Sequence, residues 1–103
     1  MSNFESRKQK KQVALHRAIV RVLDPIGLHA RPAGQLVKLV NDSGLAVRIG
    51  RAADDLVPAN SPLRVMALKA KSGDELQLEV ESEDSEKAKS LIAAIVHVLG
   101  ASK

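Results

Sequence analysis

The chain has 103 residues, enough for one hydrophobic core and too few for a second, and its 45% apolar and 27% charged residues match a globular domain. It has no cysteine, which excludes disulfides and thiolate-ligated zinc and fits a reducing compartment such as the cytoplasm; with Phe4 as its one aromatic residue it lacks the stacking platforms of single-strand nucleic-acid binders. Three of its four net positive charges fall in the opening MSNFESRKQKKQ, where Arg7, Lys8, Lys10 and Lys11 outnumber Glu5.

Residues 1–13 are therefore expected to form a basic, disordered leader, and 14–103 the folded domain. The next stretch leans apolar, but His16, Arg17 and Arg21 interrupt it, so it is neither a signal-peptide core nor a membrane span.

From Ala14 to Leu23 the residues alternate, with Ala18, Val20 and Val22 on one face and Arg17, Ile19 and Arg21 on the other, as in a strand. DPIG supplies a turn in which Asp24 starts the reversal and Gly27 is free to take positive φ. Ala33, Leu36, Val37 and Val40 then recur at helical spacing, and Gly44 is placed to cap the helix they predict. A second strand follows over Leu45–Gly50, then a short edge strand over Asp55–Ala59, where Pro58 needs no backbone donor.

Ser61 as N-cap and Pro62 at the first position open a second helix, with Leu63, Met66, Ala67 and Ala70 at helical spacing. Glu75–Glu81 is a strand with Leu76, Leu78 and Val80 inward and four polar residues facing water. A last helix runs from Asp84 or Ser85 to Gly100 on a stripe of Ala88, Leu91, Ile92, Ile95 and Leu99. The order βαββαβα, with one apolar face per strand, predicts an α+β fold: a four-stranded, mainly antiparallel sheet with three helices on one face.

The chemistry gathers at the start of the first helix. His29 occupies its N-cap position, and Pro32 is tolerated only within the first turn. The free amides of Ala30 and Arg31 should point towards the imidazole, making an anion site from main chain. The positive helix end and the Arg31 guanidinium disfavour an imidazolium, which leaves a nucleophilic lone pair. The same groups would bind a phosphoryl group once the ring had accepted it. No Asp or Glu lies between Asp24 and Asp42, so no neighbouring acid is expected to activate water against a phosphohistidine. His16 and His97 read as surface residues, and three scattered histidines offer no metal pair.

GLHARPA, Gly27 to Ala33, resembles the active-site motif of the HPr family, the histidine-containing phosphocarriers of the bacterial phosphoenolpyruvate-dependent sugar phosphotransferase system. The resemblance extends from about Ala18 to Leu99 and includes the NSPLRVM segment. It implies an open-faced β-sandwich whose histidine, here His29, takes a phosphoryl group on Nδ1 from phosphorylated enzyme I and passes it to the A domains of sugar permeases. Arg31 would stabilise the phosphate, making the chain a carrier without cofactor or turnover chemistry.

The resemblance also implies a regulatory serine, matched by Ser61, phosphorylated by an ATP-dependent HPr kinase/phosphorylase. Two negative charges there would sit beside Leu63 and Met66, the expected apolar docking patch for partners. Pro62 departs from the aliphatic residue the family carries after that serine, and the basic leader lies outside the family's pattern. A phosphorylation-dependent regulatory adaptor without sugar transport is the alternative reading; nucleic-acid binding through the leader is a third. A monomer is expected, since only a polar sheet face and one modest apolar patch stay exposed.

Overall fold

A computed structural model describes residues 13–100; except for Val13, the leader lies outside the described residues, as do residues 101–103. Seven elements follow in order: β1 (Ala14–Arg21), α1 (Ala30–Ser43), β2 (Ala46–Gly50), β3 (Leu56–Pro58), α2 (Pro62–Met66), β4 (Glu75–Ser82) and α3 (Ser85–Gly100). The strands form one sheet in the order β1-β4-β2-β3, and every pairing is antiparallel. The expected α+β architecture, three helices on one face of an open-faced sheet, is present.

The alternation in each strand decides which side is covered. Val20 on β1, Val47 and Ile49 on β2, and Leu76, Leu78 and Val80 on β4 are buried beneath the helices. Ala33, Leu36, Val37 and Val40 of α1 face them, as do Ala88, Leu91, Ile95 and Leu99 of α3. α3 packs across β1 and β4 and against α1, and α1 also touches α2. Each fully buried Leu or Ile here contributes roughly 1.5–3 kcal/mol relative to exposure, so an aliphatic core can hold the layers together without aromatic residues. Among the described residues no helix is long and apolar enough to cross a membrane.

Several boundaries differ from the sequence expectation. β1 ends at Arg21, because Val22 leaves the ladder to exchange backbone hydrogen bonds with the Gly73–Asp74 turn: its amide donates to Asp74 O at 2.9 Å and its carbonyl accepts from Gly73 at 2.6 Å. α2 stops at Met66, one turn short of Ala70. Leu68 and Lys69 donate back to Val65 and Met66 in i to i−3 bonds, and Lys69 then turns to φ 54°. Arg51 accounts for the stop, donating to the carbonyls of Leu68 and Lys69 while pairing with Asp74 at 3.0 Å.

Val65, which the helical spacing did not single out, is the side chain by which α2 enters the core; Leu63 is 77% exposed. On β4, Glu79 lies on the open face but is covered. It sits between Arg17, at 3.3 Å, and Arg48, with which it makes a close ion pair. The hydrogen bond from Arg48, with Arg17 as a further cationic neighbour, holds its carboxyl below the usual glutamate range. His16 is a correction as well. It shares the covered side of β1 with Ala18 and Val20, is half-buried, and has an Nε2 sealed from solvent with no hydrogen-bond partner. His97 is exposed, as expected.

Candidate functional site

The site begins with the turn that leaves β1. The Asp24 carbonyl accepts from the Gly27 amide at 2.9 Å, closing a four-residue reversal, and the Asp24 Oδ1 accepts from the Ile26 amide at 2.9 Å. Gly27 takes φ +94°, and a Cβ there would come within 2.6 Å of the Ala70 carbonyl oxygen. Only glycine lets the turn lie so close to the loop after α2, where Leu28 donates to the same carbonyl at 2.9 Å. Leu28, buried in the core, then anchors the chain at the foot of α1.

His29 is the N-cap of α1, as the sequence predicts, with extended backbone at φ −94° and ψ −168°. Its carbonyl accepts the first helical bond, from Ala33 at 3.0 Å, and its side chain makes no capping hydrogen bond. Pro32 has no amide hydrogen, so the donors at this helix end are the amides of Ala30 and Arg31, and the first turn carries no acidic residue. The imidazole is one-third exposed, open enough for a partner to reach and covered enough to be held in place. Ala30 and Arg31 are both exposed.

One feature contradicts the sequence reading. Asp24, five residues before His29, reaches its ring, with Oδ2 3.3 Å from Nε2. An acid does neighbour the histidine, brought back by the turn rather than by helical spacing. The Asp24 carboxyl is held below its usual range, first by the Ile26 amide and then by His29, with Arg31 contributing charge from α1. Beside the positive helix end, the ring thus has an anion at Nε2. Sequence reasoning gave Asp24 a role in the turn only; an Asp at a turn start does signal a carboxylate locked by a backbone amide, but not where its second oxygen goes.

The other expected residues lie on α2, which packs against α1. Ser61 is half-buried and is the N-cap of α2, its hydroxyl accepting from the Arg64 amide at 3.4 Å. Leu63 projects into solvent, whereas Met66 is partly buried against the core, so the two do not form a uniformly exposed pair. Ile26, 76% exposed on the turn before His29, adds apolar surface that the sequence reading did not single out.

Comparison with known proteins gives a consistent result. The family model PTS-HPr, described as the PTS HPr component phosphorylation site, matches residues 16–98. The chain is 37% identical over 79 residues to the phosphocarrier protein HPr of Lysinibacillus sphaericus, covering 77% of this chain and 89% of that one. It is 43% identical over 70 residues to the HPr of Haloferax volcanii, covering 67% and 79% respectively. Among solved structures, the HPr of Bacillus anthracis superposes with a TM-score of 0.70 at 23% identity, over 84% of this chain and 98% of that one, a likeness of fold. The histidine-containing phosphocarrier protein of a mycoplasma gives a TM-score of 0.69 at 27% identity, over 82% and 97%. With the matched region running from β1 into the last turn of α3, the chain belongs to the HPr family of phosphocarrier proteins of the phosphotransferase system.

Proposed function

We propose that His29 is the phosphoryl-carrying residue, accepting the group from phosphorylated enzyme I and handing it to the A domains of sugar-specific permeases. The observation that carries this reading is a helix start left open: an N-cap imidazole that spends neither nitrogen on its own helix, beside the amides of Ala30 and Arg31. An incoming phosphoryl group brings negative charge to the one place where backbone donors and the helix dipole favour it. The Arg31 guanidinium supplies further compensation, and since phosphoryl transfer depends mostly on positioning and charge, little else is required of a carrier. The chain is a consumed and regenerated intermediate, with no metal or cofactor in the step.

Leu63 on α2, with Ile26 on the turn, offers apolar surface for those partners, and Met66 is packed against the core. Phosphorylation of Ser61 by an HPr kinase/phosphorylase would put a dianion beside Leu63 and repel acidic partners. Incubation with labelled phosphoenolpyruvate and enzyme I tests the central step. The expected product is an acid-labile, base-stable phosphate that is absent from His29→Ala and forms roughly a hundredfold more slowly in Arg31→Ala. Label persisting in His29→Ala would exclude His29 as the carrier.

A further inference from the structure

We infer that Asp24 is a positioning residue for phosphoryl transfer: its carboxylate takes the Nε2 hydrogen of His29, which leaves Nδ1 as the acceptor nitrogen and keeps the phosphorylated ring protonated at Nε2. The inference rests on His29 being the carrier.

The carboxylate is anchored by groups other than the ring. Asp24 is fixed at two points, Oδ1 by the Ile26 amide and its carbonyl by the Gly27 amide, both at 2.9 Å. The turn itself is pressed on the Ala70 carbonyl through Gly27 and Leu28. Oδ2 is the oxygen left over, and it lies 3.3 Å from Nε2, while the His29 amide is tied to the Gly27 carbonyl at 3.0 Å. A neutral imidazole has one N–H, and a carboxylate can only accept, so the hydrogen belongs on Nε2. The in-plane directions from the two ring nitrogens diverge, so Asp24 orients the ring from the side away from the reacting nitrogen.

Among the charged groups on the surrounding elements, Asp24 is the anion in contact with the ring. α1 carries Arg31 and its open amides, and α2, which packs against α1, carries Arg64. The loop packed on Gly27 carries Lys69, Lys71 and Asp74, but the Asp74 carboxylate is engaged by Arg51 and the Lys71 amide. The last turn of α3, reached through the Leu23 amide and the Leu99 carbonyl, carries His97.

The chemistry then balances without a proton moving. The Nδ1 lone pair forms the bond to phosphorus as the donor's own bond breaks and keeps its pair. The Nε2 hydrogen stays in place, and the ring becomes a phosphoimidazolium whose positive charge Asp24 offsets. Onward transfer breaks the Nδ1–phosphorus bond and returns the pair to a neutral imidazole. A phosphorylated ring that had lost its Nε2 hydrogen would have to leave as an imidazolide, a far poorer leaving group. Asp24 therefore keeps the carrier competent to give the group away, at the cost of faster spontaneous hydrolysis.

The test phosphorylates the full chain, Asp24→Asn and Asp24→Ser with phosphoramidate, then follows phosphate loss against pH, with thermal unfolding as a check that each is folded. Both variants keep an oxygen acceptor for the Ile26 amide and lose the charge. In the variants, the fall in hydrolysis rate with rising pH is expected at a lower pH than in the parent, with a phosphoprotein roughly tenfold longer-lived on the alkaline side. Nitrogen-15 spectra of the phosphorylated ring should show Nε2 protonated to a higher pH in the parent than in either variant. Superimposable profiles and spectra, with normal labelling of His29, would overturn the role of Asp24 and leave the carrier reading standing. A folded parent that takes no phosphate on His29 would overturn the carrier reading itself.

Discussion

Three helices begin among the described residues, and they begin differently. α3 is closed by Asp84, whose Oδ1 accepts from the amides of Glu86 and Lys87 at 3.1 and 3.2 Å. α2 is closed more weakly by Ser61, through one 3.4 Å hydrogen bond. α1 is not closed by its cap side chain at all: the His29 imidazole accepts nothing from the helix, and Pro32 removes one donor from competition. The same backbone feature is thus a stability device at two ends and, in the proposed function, a binding surface at the third. What distinguishes them is whether the chain supplies a side-chain cap, as at α2 and α3, or not, as at α1.

Closing the third end should break the function outright. In His29→Ser the hydroxyl can accept from the Arg31 amide, so phosphate labelling is expected to vanish while stability rises by a few tenths to about 1 kcal/mol. Loss of labelling accompanied by a fall in melting temperature would mean that His29 also supports the fold and that the end is not simply open. The next largest effect should come from the turn. Gly27→Ala forces a side chain into positive φ and against the Ala70 carbonyl, at 2.6 Å, and should cost at least roughly 1–3 kcal/mol in denaturant unfolding. Labelling in the fraction still folded should be slowed, because the Asp24 and His29 groups are presented by that turn. A variant with parental stability would show that the loop after α2 yields easily.

Much of this was legible in the sequence, for physical reasons that differ by element. The stripes of α1 and α3 and the alternation of β4 follow from burial on one side of a periodic element, so Leu36, Val40, Leu78 and Ile95 could be placed inside directly. The N-cap position of His29 and the left-handed Gly44, at φ 71°, were equally legible, because each is signalled by its immediate neighbours. α2 was less so. Its length is set by Arg51, seventeen and eighteen residues before the carbonyls it binds, and its core contact is Val65, in a helix too short for periodicity to select a face.

Glu79 and the contact of Asp24 with His29 were missed for the same kind of reason. Glu79 is covered because Arg17 and Arg48 come from strands on either side of β4, a matter of register. Asp24 meets His29 because the turn folds back on itself, bringing together groups five residues apart with no helix or strand between them.

The smallest effects should separate the two closed ends from each other. Asp84→Ala removes an acceptor shared by two amides and a charge that complements the α3 dipole, and should cost about 1 kcal/mol. Ser61→Ala removes a single long hydrogen bond from a helix of five residues, with Pro62 already fixing the first dihedral, so the loss should lie near about 0.5 kcal/mol, the low end for a cap. Chemical denaturation of both variants checks the order, and phosphate uptake by His29 should match the parent in each. An equal or larger stability loss at Ser61 would mean that this serine secures more than its own short helix. Slowed uptake in Asp84→Ala would contradict the division proposed here, since α3 would then be closed for function as well as for stability.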